Sequence, residues 1–145
     1  MAYTSAVDVL LLLIRDHQVL LALRAGTGFA DGWWNLPSGK LEEGEDAATA
    51  VIREAREEIG LTLDRDSLAL ASTVHYRNER EIGRLGLFFQ ARRWGGEPVN
   101  AEPHKCAQIA WFPLDALPDN IYPYSRIGID LYQAGQNFAV HGWDS

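Results

Sequence analysis

Apolar positions along this chain fall in short runs separated by polar or glycine-rich breaks. Residues 6–14 and 19–23 are rich in Leu and Val and flank Arg15-Asp16-His17-Gln18. That pattern predicts two buried strands joined by a hairpin turn. Residues 25–32 carry three glycines and read as a loop. Trp33-Trp34-Asn35-Leu36 then reads as a short aromatic strand stopped by Pro37-Ser38-Gly39. Residues 68–76 and 85–92 predict strands around a charged turn at 77–84, and residues 108–112 predict another, ended by Pro113.

Two segments carry helical spacing. Between Asp46 and Ile59, the residues Ala48, Val51, Ile52, Ala55 and Ile59 repeat as one buried helix face. Asp46 is a suitable N-cap, and Gly60 sits where a left-handed C-cap residue is wanted. Residues 125–134 predict a second helix with Ile127, Leu131 and Ala134 on one side, while residues 138–145 show no pattern. Strands, helix, strands, helix is an α/β (α+β) order, with a mixed β-sheet held between the two helices. Strict alternation is missing, which argues against a doubly wound parallel sheet.

The first helix is chemically unusual. With Glu54 at zero on a helical wheel, Glu57 falls about 60° to one side and Glu58 about 40° to the other. Three carboxylates therefore share one face, roughly 120° from the apolar one. Such like-charge pairs each cost roughly a few tenths of a kcal/mol, and the nearby helix C-terminus disfavours anions further. Arg53, four residues before Glu57, offsets part of this. A divalent cation removes the rest, and carboxylate oxygens suit hard ions such as Mg²⁺ or Mn²⁺. A solvated acidic face is the alternative reading of these residues alone.

Composition narrows the picture. A chain of 145 residues, 47% hydrophobic and 23% charged, is expected to form one folded domain, residues 1–145. The net charge of −7 disfavours a nucleic-acid binder, and six of the ten glutamates lie within residues 42–58. The longest early apolar run, residues 9–14, is too short to cross a membrane. No basic segment precedes it, so no secretory leader is expected. One cysteine, Cys106, fits a cytoplasmic protein. The aromatic content permits a homodimer without requiring one.

Gly39-Lys40-Leu41-Glu42-Glu43-Gly44-Glu45, then seven residues, then Arg53-Glu54-Ala55-Arg56-Glu57-Glu58-Ile59-Gly60-Leu61 resembles the Nudix box. All seven fixed positions of that signature match: Gly39, Glu45, Arg53, Glu54, Glu57, Glu58 and Gly60. Ala55 is smaller than the usual aliphatic residue, and Ser38 stands where glycine is commoner. The resemblance spans roughly residues 6–118. It implies the Nudix fold and a loop–helix–loop that holds divalent metal against a substrate diphosphate.

By motif position, Glu54, Glu57 and Glu58 become metal ligands, joined by the Gly39 carbonyl. Arg53 becomes the residue that orients a carboxylate. Glu45 and Gly60 are structural, with Glu45 bracing the loop. The mutator-type branch adds a late glutamate, to which Glu102 corresponds, and an asparagine that reads the base, to which Asn120 corresponds. Tyr122 and Tyr124 are placed to stack on a base. Lys40, with Arg24, Arg77, Arg80 and Arg84, is a candidate to receive phosphates.

The reaction implied is Mg²⁺-dependent hydrolysis of a phosphoanhydride in a nucleoside diphosphate linked to another group. A nucleoside triphosphate giving monophosphate and pyrophosphate is the first expectation, with Glu54 or Glu57 as base. The alternatives are an ADP-ribose or sugar-nucleotide pyrophosphatase, a nucleotide sensor that does not cleave, and an isomerase of the same fold acting on isopentenyl diphosphate. Small nucleotides are the expected partners.

Overall fold

Alternation along the first strand decides the layers. In β1 (Ala6–Leu12), Val9 and Leu11 face one cluster of buried residues while Leu10 and Leu12 face the other. Both faces are dry, so the strand lies inside the molecule. The computed structural model describes residues 1–143; Asp144 and Ser145, the end of the segment without sequence pattern, lie outside them.

The strands that follow are β2 (Ile14–Arg15), β3 (Gln18–Arg24), β4 (Trp34–Asn35) and β5 (Ser38–Lys40). Helix α1 (Ala47–Ile59) comes next, then a short 3₁₀ turn (Arg65–Ser67), β6 (Leu68–Arg77), β7 (Gly83–Ala91) and β8 (Cys106–Pro113). Helix α2 (Pro123–Ala134) and β9 (Phe138–His141) end the described chain. One sheet runs β5-β1-β7-β6-β9, with parallel pairs β1/β7 and β6/β9 and antiparallel pairs elsewhere. In the other, β3 pairs with β2, β4 and β8.

The mixed sheet between helices agrees with the sequence reading. Ala50, Val51, Ala55 and Ile59 of α1 pack with Val9, Leu11 and Leu13. Ile129 and Leu131 of α2 pack with Leu10, Leu12 and Phe88 on the opposite side. Asp46 caps α1 by accepting from the Thr49 N–H at 2.9 Å, and Gly60 closes it at φ 68°.

Four details differ from the sequence reading. The apolar run 6–14 is two strands in two sheets, so only β2 forms the expected hairpin with β3. Leu13 sits at the crossing, fully buried, which is why apolarity continues through the break. Segment 37–39 is not a stop but leads into β5, which runs along β1. Ala50 rather than Ala48 completes the buried face of α1. The patternless tail supplies β9, an edge strand whose Phe138 and Val140 stay exposed and so leave no alternation to read.

Close packing of α2 depends on Gly128. A Cβ there would fall on the ring of Phe88, itself fully buried. Overpacking of about 1–3 kcal/mol should outweigh the roughly 1 kcal/mol that alanine adds to a helix. Gly128→Ala is therefore expected to lower Tm by several degrees in calorimetry. A raised Tm would mean the ring moves aside freely.

Candidate active site

The helix carboxylates look into a cleft of about 710 Å³ lined from both sheets and both helices. Glu54, Glu57 and Glu58 of α1 form part of its wall, with Gly39 and Lys40 of β5 and Glu102 of the loop before β8. That loop is held in place by the end of α1. The Val99 and Ala101 N–H groups donate to the Ile59 and Glu58 carbonyls at 2.9 and 3.1 Å. These are carbonyls that a helix terminus otherwise leaves unpaired.

Arg53 organises the acidic wall. Its Nε and Nη2 grip Glu45 at 3.0 and 2.7 Å, and Nη1 reaches Glu54 at 2.8 Å and Glu57 at 3.4 Å. Nη2 also donates to the Lys40 carbonyl at 3.2 Å, tying β5 to the helix. Glu45 in turn accepts from the Glu42 N–H at 2.9 Å, so it is committed to the loop and does not line the cleft.

Glu58 is the most deeply set of the three. It accepts from the Ser38 N–H at 2.8 Å. Burial, and then the charge of Glu54, push its carboxyl well above the usual range. Glu54 is pushed up by burial too, while Arg53 pulls the other way. Gly39 lies directly against Glu54, and a Cβ there would coincide with the carboxylate. The missing side chain is what lets this carboxylate lie on the strand.

Residues 2–132 match the family model described as NUDIX domain. The chain belongs to the Nudix family. It is 30% identical over 139 residues to the oxidized purine nucleoside triphosphate hydrolase of Mus musculus, covering 95% of this chain and 86% of that one. The corresponding protein of Danio rerio is 31% identical over 116 residues, 80% of this chain and 71% of its own. The crystal structure of a MutT NUDIX hydrolase from Burkholderia pseudomallei superimposes with TM-score 0.80 at 29% identity, covering 88% of this chain and 98% of that chain. This NUDIX domain is a pyrophosphohydrolase by family, and the family is in general divalent-metal dependent.

The residues of the cleft fit such an ion. Their donors are hard oxygens, as Mg²⁺ or Mn²⁺ require. Among the described residues the buried Glu58 carboxylate has no side-chain cation bonded to it, unlike Glu54. Among the described residues no three such side chains close on one point. Glu54 leans on Arg53 and Glu58 on Ser38, so the carboxylates line a wall rather than form a finished cage.

Other sequence candidates are distributed unevenly. Lys40, Arg24, Arg80 and Arg84 line the cleft, whereas Arg77 lies over the Trp143 ring. Asn120 is not brought to the cleft: its amide donates to the Gly32 carbonyl at 2.8 Å and pins the loop ahead of β4. Tyr124 lines the cleft but stacks on Tyr76 at 4.5 Å, so that face is taken; Tyr122 meets Phe29 edge-on. Cys106 also lines it, with its thiol pushed up by burial, the opposite of an activated nucleophile. Sequence reasoning missed Asp8 as a cleft residue, although an acid inside an otherwise apolar strand was the available signal.

Proposed function

We propose that residues 1–145 form a single cytoplasmic Nudix domain that splits nucleoside triphosphates into monophosphate and pyrophosphate, with Mg²⁺ as cofactor and Mn²⁺ as substitute. The observation that carries this reading is the division of one cleft into two chemistries. Glu54, Glu57, Glu58 and Glu102 line it, and so do Phe29, Tyr76 and Tyr122, whose rings pack against one another. Phosphates bridged by a cation belong with the carboxylates, and a base belongs with the rings. The relatives from Mus musculus and Danio rerio are oxidized purine nucleoside triphosphate hydrolases.

Glu58, Glu54, Glu57, Glu102 and the Gly39 carbonyl would hold the metal, which neutralises phosphate charge and acidifies bound water. Glu58 is the firmest of these, because the Ser38 N–H fixes one of its oxygens. Glu54 or Glu57 accepts the proton of the attacking water. Glu57 is the more exposed and Glu54 the better oriented, since Arg53 holds it at 2.8 Å. Arg53 touches no substrate in this scheme; it positions Glu54 and, through Glu45, the loop. Lys40 faces the phosphates and helps neutralise them as the anhydride breaks.

Product analysis tests this reading. Canonical and oxidised nucleoside triphosphates, ADP-ribose and sugar nucleotides are incubated with Mg²⁺, with and without EDTA, and separated by ion exchange. Monophosphate and pyrophosphate from a triphosphate, abolished by EDTA, is the expected outcome. Turnover confined to ADP-ribose or a sugar nucleotide would reassign the substrate. A folded protein that turns over nothing would be a sensor or an isomerase.

A further inference from the structure

The loop that carries Glu102 is anchored at its two ends to different elements. At its start the Val99 and Ala101 N–H groups bond the last carbonyls of α1, and the Val99 side chain lies over Gly60, where a Cβ would meet it at 2.9 Å. At its far end the Ala25 N–H donates to the Lys105 carbonyl at 3.0 Å, and Cys106 enters β8 opposite Arg24 of β3. These anchors fix where the loop leaves and where it returns. They do not fix how the stretch between them is turned, and Glu102 lies in that stretch.

Asn100 ties the two ends together. Its Nδ2 donates to the Cys106 carbonyl, six positions on, at 2.8 Å. Its Oδ1 accepts from the Glu102 N–H, two positions on, at 3.2 Å. One partner is a carbonyl and the other an N–H, so an amide serves both where a carboxylate could serve only the second. Glu102 closes the turn from inside, its carbonyl accepting from the Lys105 and Cys106 N–H groups at 2.9 and 3.0 Å. Both backbone groups of Glu102 are thus held.

Its carboxylate is not. The Glu102 side chain is 23% exposed and lines the cleft, and among the described residues its ionic partner is Lys105 Nζ at a loose 3.9 Å. Glu45, by contrast, is gripped by Arg53 at 2.7 Å. Ala101, the neighbour of Glu102, is bonded to the Glu58 carbonyl, so the late glutamate is placed from the same turn of α1 that carries the deepest carboxylate. Asn100 does not itself line the cleft.

We propose that Asn100 is a positioning residue for the hydrolysis: by clipping Cys106 to Glu102 it aims the Glu102 carboxylate at the cation that the α1 carboxylates would hold. The inference rests on the reading of Glu102 as a metal ligand given above. Asn100 acts only through Glu102. An asparagine bonded two residues on ordinarily does no more than steady a turn, and the test separates that role from this one.

The test is a double-mutant cycle between Asn100→Ala and Glu102→Gln. It is read as kcat/KM on a nucleoside triphosphate with Mg²⁺, and as the Kd for Mn²⁺ alone by electron paramagnetic resonance. Asn100→Ala should lower kcat/KM by about 10- to 100-fold, the scale of a group misplaced by about 1 Å, and should weaken Mn²⁺ binding several-fold. In the Glu102→Gln background the same substitution should change either quantity by less than about twofold, because residues that act as a unit do not add. Asn100→Ser keeps a weaker bond to the residue 102 N–H and cannot reach Cys106, so it should fall between Asn100→Ala and the parent. It replaces Asn100→Ala in the cycle if melting in EDTA shows that variant to be unfolded.

A loss of equal size in both backgrounds overturns the proposal, since a residue that only steadies the fold does not depend on what stands at position 102. Parental turnover and Mn²⁺ affinity in Asn100→Ala overturn it as well. Failure of the underlying reading looks different: Glu102→Gln itself would then bind Mn²⁺ and turn over like the parent, which leaves Asn100 nothing to position. If no nucleotide is hydrolysed, the Mn²⁺ Kd values complete the cycle and decide.

Discussion

Glu58→Gln is expected to lower kcat on the order of 100- to 1,000-fold, the usual loss when stabilisation of transition-state charge is removed, because this carboxylate would hold the cation that neutralises the phosphates. The substitution keeps the size of the side chain and leaves an amide oxygen to accept from Ser38 N–H, a bond of 2.8 Å in the parent. It removes a buried carboxylate whose ionised form is opposed by desolvation and by Glu54. In EDTA the variant should therefore melt at the same temperature as the parent or higher, because burying a charge costs stability unless it is paired. Loss of activity without loss of stability separates a functional glutamate from a structural one. Full activity in this variant would remove Glu58 from the site.

Gly39→Ala is expected to be nearly as damaging for a different reason. A Cβ at this position would occupy the space of the Glu54 carboxylate. The obstacle is the end of a flexible side chain, so Glu54 can swing away at little cost to the fold. It would leave Arg53, which now holds it at 2.8 Å, and would leave the wall it shares with Glu57 and Glu58. Misplacing a reacting group by about 1 Å can cost on the order of 100-fold. The expected result is that loss in kcat/KM with a Tm change of only a few degrees. Equal losses in stability and activity would point instead to a strand β5 that no longer pairs with β1.

The helix that carries the site was legible because its signals are local. Asp46, the apolar spacing and Gly60 mark its ends and its buried face, and the spacing of Glu54, Glu57 and Glu58 fixes which way they point. The pairing of Arg53 with Glu57 was readable in the same way, at four residues' separation. Its tighter contacts with Glu45 and Glu54 depend on how the loop before α1 folds, and only the family resemblance anticipated the bracing role. Strand β5 escaped because its identity lies in pairing with β1 rather than in apolar alternation. The cleft partners Asp8, Arg84 and Tyr124 are 76 and 116 residues apart in the pairs they form, beyond any periodicity. Asn120 shows the converse limit: the resemblance implies that it reads a base, but its amide is committed to the Gly32 carbonyl across the fold.

The most direct measurement is hydrolysis rate against free Mg²⁺ and Mn²⁺ for the parent and Glu58→Gln, with Mn²⁺ binding followed by electron paramagnetic resonance in the same samples. If the carboxylates of α1 carry the metal, parent turnover saturates with bound ion and vanishes in EDTA. The variant should then bind Mn²⁺ more weakly and need a higher metal concentration for whatever rate remains. Turnover insensitive to EDTA, or identical metal dependence in the two proteins, would contradict a metal site at Glu58.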